Sequence, residues 1–352
     1  MKISKLSKLI QDIQPIDLNI INETQKKFDR LTKPRNSLGY LENITAKAAG
    51  VYGSSCPDIT RKVIFLMAAD HGVTAEKVSA YPAEITRQMV LNFLEGRAAI
   101  NVLTRHFGIE VLITDMGIKG EHGEKAGLID KKIGRGTGNM AVGPAMTREM
   151  AEKSVLAGYE VFEEASQEKK IDLIGLGEMG IGNTTASSAI ISLLTGTKLE
   201  DVVDMGAGLQ PEEIGHKTSI IKKAISINKP NCKDPLDVLT KVGGFEIGGL
   251  VGVILAAAAR KVPVVMDGLI SGACALLAVK LAPVVQNYLF ASHCSKEKGH
   301  RVALSYLRKL PLFDLGMHLG EGTGAAYGIN FMETGFKLLN QMATFADLKY
   351  KI

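Results

Sequence analysis

The sequence predicts an α/β protein built on a doubly wound, mostly parallel, Rossmann-like sheet. Five short apolar runs are continuous rather than alternating, which indicates strands that are buried on both faces. Helical stretches long enough to be right-handed crossovers lie between these runs. The apolar runs are residues 63–68, 111–114, 173–176, 262–266 and 288–291, and the helical stretches are residues 83–107, 184–194 and 268–280.

Polar residues stand at the end of each predicted strand. In chain order they are Asp70 and His71, then Asp115, Glu178, Asp267 and His293. The carboxyl ends of parallel strands lie at one edge of a sheet, and ligands bind beyond that edge. A single Asp-Gly pair is typical of a turn, but its recurrence at equivalent strand ends predicts a polar site.

The two ends of the chain lack parallel-strand runs and have helical character instead. Residues 1–45 and 325–352 are therefore predicted to pack together as a small helical domain. Residues 46–324 are predicted to form the Rossmann-like catalytic domain. A length of 352 residues is consistent with one large α/β domain that carries such an attachment.

The composition excludes several classes of protein. Hydrophobic residues make up 46% and charged residues 22% of the chain, as in globular rather than disordered proteins. The net charge of +5 is spread along the chain and there is no Trp, so we expect a small anionic substrate and no nucleic acid. Four scattered cysteines without a CxxC pair argue against a disulfide framework or a zinc ribbon. The longest apolar stretch, residues 247–259, is shorter than the ~20 residues of a membrane span, so we expect a cytoplasmic protein.

A glycine-rich segment after the third predicted strand allows a first interpretation of function. Gly175, Gly177 and Gly180 form a GxGxxG pattern between a strand and a helix, as in dinucleotide-binding proteins. Such proteins hold the ribose with an acid about 20 residues after the pattern, and Glu200 and Asp201 lie at that position. An NAD(P)-dependent oxidoreductase is therefore the alternative hypothesis. Its weakness is Glu178, whose charge would repel a pyrophosphate in that turn.

The residues that follow the GxGxxG pattern offer a site for a single phosphate. Asn183, Thr184 and Thr185 open the predicted helix and provide amides and hydroxyls at its N-terminus. Simple capping of the helix by Asn183 and Thr184 is the structural alternative. Two threonines and several glycines exceed what a cap needs, so we predict a phosphate or nucleotide site that also includes Gly180 and Gly182.

A second candidate for chemistry is Glu321, which stands between Gly320 and Gly322. Flanking glycines allow backbone and ligand to approach closely. An apolar environment would raise the pKa of this carboxyl toward a value that suits a general base near neutral pH. The structural alternative is a solvated acid in the first turn of a helix.

His293, Glu297 and His300 have the spacing of a metal site on one helical face. The segment is hydrophilic and contains Gly299, and no ExxH motif elsewhere could complete a ligand set. We therefore expect a hydrogen-bonded structural cluster rather than a metal site. The neighbouring Cys294 lacks an obvious base, which makes a thiol nucleophile a weak alternative.

Seven motifs in order along the chain resemble one known family. They are LTKPRNSLGYLE at 31–42, ADHGV at 69–73, VSAYP at 78–82, GEMGIGNTT at 177–185, MDG at 266–268, SHCSKEKGH at 292–300 and LGEGTG at 319–324. Together they resemble the nicotinate-nucleotide–dimethylbenzimidazole phosphoribosyltransferases of cobalamin lower-ligand synthesis. The resemblance covers nearly the whole chain.

The resemblance implies transfer of the phosphoribosyl group of nicotinate mononucleotide to a nitrogen of a benzimidazole-type base. The products would be α-ribazole 5′-phosphate and nicotinate. It also implies a homodimer, a Rossmann-like large domain with a small helical domain from both chain ends, and neither metal nor cofactor.

The family pattern also implies roles for individual residues. Glu321 would accept the N–H proton of the azole, and Glu178 would stabilise positive charge that develops on the sugar and pyridinium. Lys217 would approach the phosphate, and Asp267 would belong to the nucleotide site. The flat base would lie near a set of polar and apolar residues made up of Ser79, Tyr81, Gln88, Met179 and Leu319.

Overall fold

The computed structural model describes residues 5–120, 125–206 and 208–348. The predicted helical domain includes residues 1–4 and 349–352, which lie outside the described residues. The described strands are β1 (Lys62–Ala69), β2 (Glu110–Gly117), β3 (Leu128–Asp130), β4 (Leu173–Met179), β5 (Val264–Met266) and β6 (Leu289–Ala291).

These strands form one sheet in the order β3-β2-β1-β4-β5-β6, and every neighbouring pair is parallel. The predicted doubly wound α/β sheet is confirmed. The chain builds outward from β1 in one direction and then returns to add β4 on its other side. This reversal between β1 and β4 is the switch point at which such sheets bind ligands.

All five predicted strand runs are strands in the structure. Every residue of β1 is buried, which explains its continuous apolar sequence from Val63 to Ala69. β3 was not predicted, because this edge strand has only three residues and none of them is fully buried.

Thirteen α-helices surround the sheet in the described part of the chain. They are α1 (Lys5–Asp12), α2 (Leu18–Phe28), α3 (Tyr40–Tyr52), α4 (Glu84–Leu94), α5 (Ala99–Phe107), α6 (Arg148–Glu168), α7 (Asn183–Thr195), α8 (Ile214–Asn228), α9 (Pro235–Val242), α10 (Phe245–Ala259), α11 (Leu269–Leu281), α12 (Lys298–Tyr306) and α13 (Thr323–Gln341).

The predicted helix over residues 83–107 is two helices, α4 and α5. Gly96 lies between them with a φ of +72°, a backbone conformation that an α-helix does not contain. The predicted helices over 184–194 and 268–280 are α7 and α11, each within one residue of the expected bounds.

Helices cover both faces of the sheet. Ile64 and Met67 are three residues apart in β1 and therefore point to opposite faces. Gly249 of α10 lies against Met67, whereas Gly322, just before α13, lies against Ile64. The site described below thus has α10 on one side of its strand ends and α13 on the other.

Helices from the two ends of the chain pack together. α2 packs on α3, and α3 packs on α13, which also contacts β4 and β5. An antiparallel bridge joins Leu31 to Thr344. The division into a catalytic unit of residues 46–324 and a helical unit from both ends stays a prediction. Across the described residues, no helix is both long and apolar enough to span a membrane.

Candidate active site

A cavity of about 770 Å³ opens at the carboxyl ends of β4, β5 and β6. Nine of the predicted site residues line it: Tyr81, Glu178, Met179, Gly180, Gly182, Asn183, Thr184, Asp267 and Leu319. Within the described chain, five predicted residues do not line it: Ser79, Gln88, Thr185, Lys217 and Glu321. Of the polar residues predicted at the strand ends, Glu178, Asp267 and His293 line this cavity, whereas Asp70, His71 and Asp115 do not. That the cavity is the binding site stays a prediction.

The GxGxxG pattern is not a dinucleotide turn. Gly175 and Gly177 lie inside β4, paired with Ile64 and Leu66 of β1, so the first two glycines belong to a strand. A Cβ on Gly175 would lie 3.1 Å from the Cβ of Ala325, and one on Gly177 would lie 2.7 Å from the carbonyl oxygen of Glu321. These glycines let the start of α13 pack tightly on the sheet.

The oxidoreductase alternative also requires Glu200 or Asp201 to bind a ribose, and the structure places both away from the cavity. Glu200 lies in a 3₁₀ turn and forms an exposed ion pair with Lys222 at 2.5 Å. Neither Glu200 nor Asp201 lines the cavity among the described residues. The alternative hypothesis is not supported.

Glu178 is the penultimate residue of β4, is buried and lines the cavity. The side-chain amide of Asn183 donates a hydrogen bond to its carboxyl group. Burial, together with the negative charges of Asp267 and Glu246, raises the pKa of Glu178 to about 8. At neutral pH the free protein therefore holds Glu178 mainly in its protonated form.

A buried pair lies close to Glu178 on the α10 side of the sheet. Nε2 of His71 is 2.5 Å from Oε1 of Glu246, and both residues are buried. The second carboxyl oxygen of Glu246 has no hydrogen-bond partner among the described residues. Sequence reasoning considered His71 but missed Glu246. The available signal was a lone acid at the start of an otherwise apolar helix.

The start of α7 forms another wall of the cavity. Its cap is Gly182, with a φ of +97°, and no side chain caps it; Asn183 turns to Glu178 instead. The structural alternative of simple capping by Asn183 and Thr184 is therefore wrong. Thr185 is buried within α7, and its hydroxyl lacks a hydrogen-bond partner among the described residues.

Lys217 lies behind Thr184 rather than in the cavity. Its Nζ donates to the hydroxyl oxygen of Thr184 at 2.9 Å and to the carbonyl oxygen of Asp204 at 3.2 Å. Burial lowers the pKa of Lys217 to about 8, although the charges of Glu297 and Asp204 oppose this shift. The buried ammonium group of Lys217 thus reaches the first turn of α7 through the side chain of Thr184.

Two acids that sequence reasoning did not place in the site also line the cavity. Asp204 accepts a hydrogen bond from the N–H of Lys298 at 3.2 Å, and Glu297 accepts one from the N–H of Gly206 at 3.0 Å. Burial raises the pKa of Glu297. The signal for Asp204 was an Asp-x-Gly sequence after two apolar residues, and Asp70 and Asp115 share the Asp-x-Gly sequence.

Glu321 occupies a turn of three residues with positive φ. The values are +85° for Gly320, +62° for Glu321 and +86° for Gly322. Its side chain is buried, and burial raises the pKa of its carboxyl, as predicted, while the backbone N–H of Ile100 opposes that shift. The turn reaches the cavity through Gly320, where a Cβ would lie 2.5 Å from a carboxyl oxygen of Glu178.

Asp267 follows β5 and faces the same turn. Its carboxyl oxygens accept hydrogen bonds from the N–H groups of Gly322 at 3.2 Å, Gly324 at 2.7 Å and Ala325 at 3.2 Å. Burial raises the pKa of Asp267 to about 7, against the effect of these three donors. Nε2 of His293 lies 3.7 Å from its carboxyl group.

The expectation that His293, Glu297 and His300 share one helical face is wrong. His293 lies in an extended segment that bridges to Phe313, and Glu297 is the N-terminal cap of α12. Burial lowers the pKa of His293 to about 4 and that of His300 to about 3. In the described part of the chain, no group of three His, Cys, Asp or Glu side chains is arranged to hold a metal ion.

The predicted base-binding residues are divided between the mouth of the cavity and its surroundings. Tyr81 and Leu319 line the mouth and are 52% and 58% exposed, and the half-buried Met179 lies deeper. Ser79 accepts a hydrogen bond from the N–H of Tyr81 at 3.2 Å. Gln88 is exposed on α4.

Comparisons with known proteins agree with this architecture. A family model described as phosphoribosyltransferase matches residues 13–349. A nicotinate-nucleotide–dimethylbenzimidazole phosphoribosyltransferase of Roseiflexus sp. (strain RS-1) is 48% identical over 98% of this chain and 97% of the relative. One from Geobacter metallireducens is 48% identical over 97% of each chain.

A solved structure extends the likeness to three dimensions. The crystal structure of CobT from Thermus thermophilus superimposes with a TM-score of 0.89 and 42% sequence identity. The match covers 93% of this chain and 98% of that one. The resemblance inferred from the seven motifs is confirmed. The chain is a phosphoribosyltransferase, and it belongs to the nicotinate-nucleotide–dimethylbenzimidazole phosphoribosyltransferase family.

Proposed function

We propose that this protein transfers the 5-phosphoribosyl group of nicotinate mononucleotide to a nitrogen of a benzimidazole-type base. The products are α-ribazole 5′-phosphate and nicotinate, and the reaction belongs to assembly of the nucleotide loop of cobalamin. One observation supports this most directly: a single cavity brings together the buried acid Glu178, the turn before Glu321 and the helix start backed by Lys217.

The phosphate of the mononucleotide binds at the first turn of α7. The N–H groups and the positive end of the helix dipole favour an anion there, and Thr184 offers its hydroxyl. Lys217 supports the site from behind through its hydrogen bond to Thr184. A bound phosphate keeps the ammonium group charged, because a nearby anion raises the pKa of a lysine.

Glu178 faces the sugar and the pyridinium ring. The positive ring nitrogen of the mononucleotide lowers the pKa of this acid and drives its proton off. The resulting carboxylate stabilises the positive charge that develops on the ribose as the bond to nicotinate breaks.

Glu321 is the general base. One ring nitrogen of the azole attacks C1′ of the ribose while Glu321 removes the proton from the other nitrogen. The electron pair of the breaking C1′–N bond leaves with nicotinate and neutralises its pyridinium charge. Attack from the face opposite to nicotinate inverts C1′ and gives the α-linkage. The ring of the base lies between Met179, Tyr81 and Leu319, with Ser79 and Gln88 at its edge.

A homodimer in the cytoplasm completes the proposal. Tyr81, Leu315 and Leu319 are exposed apolar side chains at the mouth of one cavity, which supports coverage by a second copy of the chain. Sedimentation of the purified protein tests the dimer, and a monomer at micromolar concentration would contradict it.

The test of the proposed reaction is incubation with nicotinate mononucleotide and a panel of bases, with products identified by mass. We expect an α-ribazole phosphate with dimethylbenzimidazole and release of one nicotinate for each product molecule. Glu178→Gln is the inactive control. Release of nicotinate without any base adduct would contradict transfer, and reduction of a nicotinamide cofactor would revive the oxidoreductase alternative.

A further inference from the structure

The first turn of α13 is capped from a distant part of the chain. Its N-cap residue is Gly322, which has no side chain to accept hydrogen bonds from the free N–H groups of the helix. Asp267, at the end of β5, supplies the missing acceptor through three hydrogen bonds. Gly324 is necessary for this approach, because a Cβ there would lie 2.7 Å from Oδ1 of Asp267 and would overlap the ring of His293.

The residues that Asp267 holds are those immediately after Glu321. Glu321 has a φ of +62°, and the left-handed conformation is unfavourable for a residue with a side chain. Such a conformation persists where its surroundings restrain it. Here β4 limits the turn on one side, because the carbonyl of Glu321 packs against Gly177. Asp267 restrains the turn on the other.

We propose that Asp267 is a positioning residue that fixes the turn carrying Glu321 and so aims the general base at the acceptor. In this proposal Asp267 acts through Glu321. The family pattern implied a different role for it, direct contact with the nucleotide. The inference rests on the proposed function, since it assumes that Glu321 accepts the proton.

A double-mutant cycle tests this assignment. We expect Asp267→Asn to lower kcat for dimethylbenzimidazole at least about tenfold, because small misplacements of catalytic groups cost large factors in rate. The KM for nicotinate mononucleotide should change less than about twofold. In the Glu321→Gln background the same substitution should lower kcat by less than about twofold, since residues that act as a unit are not additive.

Asp172→Asn is the matched control. Asp172 is also buried and accepts hydrogen bonds from the backbone N–H groups of Thr60 and Arg61, both at 2.9 Å, but at the opposite end of β4. We expect its kcat to stay within about twofold of the wild type in both backgrounds. An Asp267→Asn effect of equal size in both backgrounds, or one confined to the KM of the mononucleotide, would overturn the inference.

Hydrogen–deuterium exchange separates this inference from the proposed function. Exchange of the segment around Gly322 and Gly324 should rise in Asp267→Asn and stay unchanged in Asp172→Asn, whatever reaction the enzyme performs. Unchanged exchange in Asp267→Asn would refute the restraint itself. Raised exchange with no base transfer by the wild type would refute the proposed function alone.

Discussion

The side-chain amide of Asn183 donates a hydrogen bond to the carboxyl group of Glu178, which lies five residues earlier at the end of β4. The two residues connect the strand to the first turn of α7. An amide donor favours the ionised carboxylate, yet burial and two neighbouring acids outweigh it. Burial therefore favours the protonated form of Glu178 in the free protein, and a bound cation would oppose it.

We predict that binding of nicotinate mononucleotide at pH 7 releases a proton from Glu178. Its pKa of about 8 in the free protein falls when the pyridinium binds. Calorimetry in buffers of different ionisation enthalpy measures the release. Glu178→Gln should release close to one proton fewer per site than the wild type. An equal release by both proteins would contradict the assignment.

The proton on Glu178 also makes the free energy of unfolding depend on pH. The folded protein keeps it up to about pH 8, whereas an exposed glutamate loses it near 4.5, so folding becomes less favourable as pH rises between these values. The melting temperature of the wild type should therefore fall relative to that of Glu178→Gln from pH 5 to pH 8. A constant difference across this range would show that the acid titrates normally.

Glu321→Gln should lower kcat at least about 100-fold with little change in either KM, because a positioned base contributes about 10²–10⁴-fold. Glu168→Gln, an exposed acid on α6, is the control of equal charge change. With 1-methylbenzimidazole, which has no N–H to lose, mutant and wild type should converge in rate. Normal turnover of dimethylbenzimidazole by Glu321→Gln would make Glu178 the next candidate for the base.

Thr184→Ala should raise the KM for nicotinate mononucleotide about tenfold with a smaller change in kcat. The substitution removes the side-chain hydroxyl that would donate a hydrogen bond to the charged phosphate, and such a hydrogen bond contributes about 1.5 kcal/mol or more. Thr185→Ala is the matched control, because Thr185 is buried outside the cavity lining. Equal effects of both substitutions would place the phosphate elsewhere.

Dialysis against EDTA should leave the activity within about twofold of the untreated enzyme. His293 and His300 face each other with ring centroids 5.8 Å apart, and Glu297 is engaged by the N–H of Gly206. Loss of activity on chelation, restored by one divalent metal, would make this cluster a metal site. Assays before and after dialysis, with metal content measured in parallel, decide the question.

The sheet was predictable because burial on both faces leaves a direct trace in the sequence. β1 is apolar from Val63 to Ala69, and its polar successors Asp70 and His71 mark where it ends. β3 is short and only half-buried, so it leaves no such trace. The break between α4 and α5 depends on the backbone conformation of Gly96, and a single glycine within a helical pattern does not reveal its φ.

Part of the cavity lining was predictable from the sequence, but its geometry was not. Glu178 and Thr184 follow from strand ends and helix starts, which are local features. The pairing of His71 with Glu246 joins residues far apart in the chain, and no local pattern contains it. Likewise, the letters of the GxGxxG pattern do not show that β4 continues through its first two glycines.

Those two glycines set a condition for anyone who would graft this site onto another parallel sheet. The acids could be copied onto strand ends of a suitable scaffold, but the turn that carries Glu321 would then stand too far from the strands. Gly175 and Gly177 have no side chains to hold α13 away from β4. A transplanted site would therefore need Gly175 and Gly177, which take no part in the chemistry, before it needed any of the acids that do.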